Sequence, residues 1–275
     1  MSKLYLIGVG LFDQKDITLR GLEAVKSSDK VFLESYTSVL SSELSAMEEL
    51  YGKPVTLLYR DDVEIGINEI LKELAEAKGT YSFLVVGDPF GATTHSDLYL
   101  RACKLDIKVE AIHNASIMNA VGVCGMQLYS FGQTVSIPYF TEKWRPYSFI
   151  NRLAFNYENG FHTLVLLDIR VKELTEEALL KGKKKYEPPR FMSVKEAIEQ
   201  IIEAQESEQT KLGDARQLKA IGVARIGAAD QKIVAGTLEQ LSKIDFGNPL
   251  HSIVVCAPQL HLVEQEMFEH FALKN

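Results

Sequence analysis

Through the first 120 residues, short apolar runs alternate with stretches in which apolar positions recur three and four apart, the patterns of buried strands and amphipathic helices. Residues 3–9 (KLYLIGV) form an apolar run closed by Gly10, and 17–26 follow with Ile17, Leu22 and Val25 on one face behind a capping candidate, Asp16. The alternation continues with strands expected at 31–33, 55–58, 81–86 and 109–112, and helices at 42–51, 65–77, 96–105 and from 116 onward. Such an order builds a mostly parallel sheet with helices on both faces.

The second half has a different texture. Strands are expected at 132–139, 163–167, 220–226, 232–237 and 252–256, and helices at 147–157, 193–206 and 260–271. Ser193 and Glu196 have the spacing of a capping box in front of an apolar stripe carried by Val194, Ala197, Ile198, Ile201 and Ile202. Residues 181–190 (KGKKKYEPPR) hold five basic residues and two prolines, which predicts an exposed loop. Gly122, Gly125 and Gly132 interrupt the pattern, so the domain boundary is placed there, giving domains 1–120 and 121–275 of an α/β chain.

Composition narrows the function classes. At 275 residues, 46% hydrophobic and 24% charged, the chain can bury two cores. A formal charge of −7 argues against broad nucleic-acid affinity. No apolar run approaches the roughly 20 residues needed to cross a bilayer, and the opening lacks a signal-peptide layout, so no membrane partner and a cytoplasmic address are expected. Cys103, Cys124 and Cys256 are odd in number, far apart and without a C-x-x-C partner, and are expected to be reduced core residues.

Candidate chemistry sits where strands end, because ligands of open α/β sheets collect at the carboxyl edge. Gly8-Val9-Gly10 follows the first strand, but Asp13 stands where a dinucleotide fingerprint needs its third glycine. Residues 87–95 (GDPFGATTH) offer two glycines, a carboxylate and two threonine hydroxyls. After the fifth strand comes His113-Asn114-Ala115-Ser116, in which Ser116 can cap a helix. His95 and His113 do not form a helical ligand pair, and no metal site is expected.

Taken together, GVGLFDQKDIT (8–18), GDPFGATTH (87–95), IHNASIMNAVG (112–122), YEPPRFMSV (186–194) and PLHS (249–252) resemble the diphthine synthase family, the diphthamide branch of the tetrapyrrole-methylase-like methyltransferases. The resemblance runs over nearly the whole chain in order. It implies a class III architecture, two α/β domains with an S-adenosyl-L-methionine cleft between them, in a homodimer. It also implies S-adenosyl-L-homocysteine as the released product and translation elongation factor 2 as the protein substrate. Phe90-Gly91, Asn114 and the basic loop match the eukaryotic type, whose product is diphthine methyl ester: three methyl transfers to an amino nitrogen and one to a carboxylate. Carried over by motif, the cofactor contacts are Leu11, Asp88, Gly91, Ser116, Ile117, Leu167, Ile226 and His251. A small-molecule methylase of the same fold and a non-enzymatic cofactor-binding scaffold remain the alternatives, because fold does not fix substrate.

The implied chemistry asks little covalent work of the protein. A sulfonium methyl is already activated, so orientation carries the catalysis, on the order of 7 to 11 kcal/mol. The carboxylate acceptor needs no base, whereas the amine must lose a proton before each attack. Asp88 is a candidate for that base and equally a candidate for holding its loop. The lysines 181, 183, 184 and 185 are open to three readings: a solvated loop, a nuclear address or a docking surface for the protein substrate.

Overall fold

The computed structural model describes residues 2–36, 40–60, 62–172 and 186–273. The lysines of the basic loop lie outside the described residues. Two compact units are present: residues 1–118 with 170–189, and residues 119–169 with 190–275.

The first unit holds a five-stranded sheet of β1 (Lys3–Gly8), β2 (Lys30–Glu34), β3 (Thr56–Leu58), β4 (Thr80–Val85) and β5 (Lys108–Ile112), in the order β3-β2-β4-β1-β5. Every pairing is parallel, as the alternation predicts. Gly8 stands beside Val85 and Ile7 beside Ile112, so β1, β4 and β5 end together. Both faces are buried. Leu4, Leu6, Phe32, Tyr81 and Phe83 pack with Leu71, Leu74 and Leu98 on one side, and Ile7, Val31, Leu33 and Leu84 pack with Val25, Met47 and Tyr51 on the other. Double burial explains why these strands read as unbroken apolar runs.

The helix Leu19–Ser27 begins later than expected. Thr18 is its cap, accepting from Gly21 N at 3.0 Å, because the Asp16 carboxylate is taken by the amides of Leu11 and Phe12 at 3.2 and 2.8 Å. Cys103 corrects another expectation: it is exposed, whereas Cys124 and Cys256 are buried, and all three are free. It closes the helix His95–Cys103, whose buried face is His95, Leu98 and Ala102, and one residue past Ala102 turns about 100° away from that face.

The second unit has the strands β6 (Val135–Ile137), β7 (Thr163–Leu167), β10 (Lys219–Ala224), β11 (Lys232–Thr237) and β12 (His251–Val255); the two-residue strands β8 (Ile169–Arg170) and β9 (Arg190–Phe191) flank the undescribed stretch. Its five-stranded sheet runs β11-β10-β12-β7-β6, antiparallel except for the β6–β7 pair. β6 is shorter than expected because the Asn156 side chain, not a neighbouring strand, binds Gln133 N and O, at 3.0 and 2.7 Å. β10 ends two residues early: Arg225 takes a left-handed φ of 50° and its guanidinium binds Asp230 and Phe246 O, so Ile226 lies beyond the strand. The capping box forms as expected, with Ser193 N on Glu196 Oε2 at 2.8 Å and Glu196 N on Ser193 Oγ at 3.2 Å, and opens the helix Val194–Glu208. Among the described residues no helix is long and apolar enough to cross a membrane.

Candidate active site

In the first unit, three loops meet at the carboxyl edge of the parallel sheet. Gly10 and Gly87 exchange main-chain hydrogen bonds of 3.3 and 2.7 Å, joining the first loop to the second. Asn114 joins the third to the first, donating from Nδ2 to Gly8 O and Asp16 O at 2.9 Å each. The approach is close enough that a Cβ on Gly8 would stand 2.5 Å from Gly87 O and 2.8 Å from the Asn114 Cβ. Gly91 is flush with the third loop in the same way, since a Cβ there would fall 2.7 Å from Ser116 Oγ.

Asp88 is the electrostatic centre of this cluster. Its Oδ1 accepts from Phe90 N at 2.8 Å, and its Oδ2 accepts from Asn114 N at 3.1 Å and His113 Nδ1 at 2.8 Å. Burial alone would raise its pKa, but these donors outweigh burial and hold the carboxyl below the usual aspartate range. Asp88 is therefore an anion whose Oδ2 takes two hydrogen bonds and whose Oδ1 takes one. Ser116 Oγ accepts from Met118 N at 3.3 Å at the start of the helix Ile117–Ala120. The structure thus brings Asp88, Gly91 and Ser116 together, with Ile117 next in the chain and Leu11 tied through its amide to Asp16.

The remaining three residues belong to the second unit. Leu167 ends β7, His251 opens β12 and Ile226 follows β10. Ser252 pairs with Leu166 and His251 with Ala224, so all three stand at the same end of adjacent strands. Leu167 and Ile226 are buried. His251 Nε2 is 2.9 Å from Asn248 O, which requires the proton on Nε2, and leaves Nδ1 buried without a hydrogen-bond partner. Burial lowers its pKa, so the ring stays neutral with Nδ1 as an open acceptor.

Sequence reasoning missed the groups that hold the cluster: Asp16, given instead as a helix cap, and Asn114, whose two acceptors lie 106 and 98 residues away. His95 and His113 were visible only as histidines without a role. His113 leans on Asp88, and His95 is buried, with Nδ1 on Pro89 O at 3.0 Å. Among the described residues no group of three or more His, Cys, Asp or Glu is arranged to hold a metal ion.

The sequence matches the model of the Tetrapyrrole (Corrin/Porphyrin) Methylases over residues 3–242. It is similar to the diphthine methyl ester synthase of Dictyostelium discoideum, 51% identical over 274 residues and covering 99% of each chain. The diphthine methyl ester synthase of Homo sapiens is also 51% identical, over 98% of this chain and 95% of that one. A solved structure of diphthine synthase superimposes with a TM-score of 0.83 at 35% identity, covering 98% of this chain and 96% of the other. Identity at half the positions over the full span, on the same two-sheet architecture, sets aside the small-molecule methylase and scaffold readings: the chain belongs to the diphthine methyl ester synthases, methyltransferases of the tetrapyrrole methylase family.

Proposed function

We propose that the protein uses S-adenosyl-L-methionine to methylate the modified histidine of translation elongation factor 2 four times, three times on the amino nitrogen and once on a carboxylate. It acts in the cytoplasm as a homodimer and releases S-adenosyl-L-homocysteine. The observation that carries the reading is the three-loop cluster, in which Gly91 lies flush against Ser116 beside the anionic Asp88. The names of the relatives supply only the product, diphthine methyl ester; the elongation factor is the acceptor that the resemblance of the motifs implies.

The residues present fit such a cofactor. Gly8 and Gly91 let the three loops close on one another, since a Cβ on either would strike a neighbouring loop, and in the second unit His251 Nδ1 is an orphaned buried acceptor suited to an N–H of an adenine. In this reading Asp88 Oδ1 holds a polar hydrogen of the cofactor, Leu11 and Ile117 offer it apolar contact in the first unit, and Ser116 fixes the third loop; Leu167 and Ile226 are the apolar contacts that the motifs assign to the second unit. Bound, the cofactor supplies a methyl group on a sulfonium, ready for displacement. The protein's own work is to aim the acceptor and keep water from it.

The test is to incubate the protein with labelled cofactor and elongation factor 2 bearing the first diphthamide intermediate, then read the mass of the target histidine. Four added methyl groups, one of them base-labile, are expected. A product that stops at three, with no labile ester, overturns the reading.

A further inference from the structure

We propose that His113, oriented by Asp88, is the base that takes the proton from the acceptor amine before each N-methylation. The inference rests on the proposed acceptor, which carries both an amine and a carboxylate.

The geometry divides the labour between the two residues. Asp88 is an anion whose oxygens already accept from Phe90 N, Asn114 N and His113 Nδ1, so it is poorly placed to take another proton and well placed to orient a ring. A carboxylate only accepts, so the 2.8 Å contact fixes the proton of the neutral ring on His113 Nδ1 and leaves the lone pair on Nε2. Nε2 makes no hydrogen bond among the described residues, and the side chain is 70% exposed, so a substrate can reach it. The Phe90 ring, 6.2 Å away, flanks the imidazole, and Tyr99 continues the aromatic surface at 6.4 Å from Phe90. Base and orienter within hydrogen-bond reach is the constellation expected of an activated proton acceptor.

The surroundings agree. His113 directly follows β5 and precedes Asn114, which is bonded to Gly8 O, so the ring stands on the same loop edge as Gly91 and Ser116. Asp88 is the charged group bonded to it, and the neighbouring Asn114 reaches the main-chain O of Asp16 on the first loop. The other histidines of the candidate loops are unsuited: His95 is buried, and His251 has its proton on Nε2 and its free Nδ1 buried.

The protons balance as follows. The acceptor ammonium gives one proton to His113 Nε2, which passes it to water. The freed nitrogen pair forms the N–C bond as the methyl–sulfur bond breaks and its electrons return to sulfur, leaving a neutral thioether and a methylated ammonium. Two more rounds remove two more protons and end at a quaternary ammonium with none left to lose. The carboxylate, already ionised, takes its methyl group with no proton to give. One base is thus needed three times and is idle the fourth.

His113→Asn tests this, because the Asn amide keeps a donor near the Nδ1 position for Asp88 while lacking the basic Nε2. Two acceptors separate the chemistries: elongation factor 2 with the free-amine intermediate, and the same factor already trimethylated, which can only be esterified. The expected result is a fall of about a hundredfold or more in N-methylation, the usual worth of a positioned base, against less than a threefold change in esterification. The N-methylation deficit of the variant should also shrink as pH rises and more of the acceptor is already free amine. Affinity for S-adenosylhomocysteine by calorimetry and the melting temperature check that the loop is intact. Equal losses on both acceptors, or none on either, overturn the assignment. Wild-type protein that methylates neither acceptor overturns the proposed function instead.

Discussion

Among the described residues each unit buries a histidine–glutamate pair, and the two pairs are built for different work. In the second unit His162 Nδ1 accepts from Ala257 N at 3.0 Å and Nε2 donates to Glu264 Oε1 at 3.1 Å. Glu264 also accepts from Gln127 N and His261 N, at 3.0 and 2.9 Å. Both ring nitrogens and both carboxylate oxygens are used, and the pair ties the start of β7 to the segment after β12, to the helix Leu262–Phe271 and to the turn Leu128–Ser130. In the first unit His95 donates from Nδ1 to Pro89 O, but Nε2 stands 3.4 Å from Glu34 Oε2 without making a hydrogen bond. A saturated pair clamps main chain. The looser pair reaches the loop that carries Asp88 and Gly91, so its effect is on where that loop sits.

Breaking the saturated pair should have the largest effect on the fold. His162→Leu leaves a buried Glu264 carboxylate short of one donor and Ala257 N without an acceptor, and each buried group left unsatisfied costs about 1–3 kcal/mol. Chemical denaturation should show that loss, with Cys256, now buried, becoming open to thiol reagents at lower denaturant than in the wild type. A midpoint unmoved by the substitution would show that the pair clamps nothing.

His95→Leu should separate the two pairs. Pro89 O keeps a 2.6 Å bond from Thr93 Oγ1, so only about 1 kcal/mol of stability is at stake for the lost hydrogen bond. The loop loses its buried tether, however, and affinity for S-adenosylhomocysteine should weaken about tenfold, or about 1.4 kcal/mol. His95→Asn, which keeps a donor near Nδ1, should restore most of it. Calorimetry that finds both variants binding like the wild type would reduce His95 to a packing residue.

The parallel half was legible because strands buried on both faces leave unbroken apolar runs, and all five fall within one or two residues of their expected places. Caps and strand ends were harder where a side chain intrudes: Asp16 turns to the first loop, Asn156 displaces ladder bonds beside β6, and Arg225 bends the chain after β10. The candidate site was legible as loops but not as contacts. Periodicity placed 87–95 and 113–116 at strand ends, whereas the choice of Asp88, Gly91 and Ser116 came from the resemblance. Bonds such as Asp88 to His113, 25 residues apart, or Asn114 to Gly8, 106 apart, depend on strand order, which no local pattern records.

The smallest expected effect concerns acid, and it sharpens the contrast between pairs. Burial pushes the Glu264 carboxyl up, but the amides of Gln127 and His261 and the His162 ring win, so its folded pKa lies below the ordinary 4.5. A depressed carboxylate contributes stability that is fully present above its unfolded pKa and is lost as pH falls through the folded one. Glu264→Gln cannot titrate. Its stability gap from the wild type should therefore be widest near neutral pH and narrow steadily below pH 4.5. Asp88 is depressed as well, so some acid sensitivity should survive in the variant and report on the first unit. Denaturation midpoints across a pH series decide the matter, and a gap that widened toward acid would mean that the Glu264 charge opposes the fold.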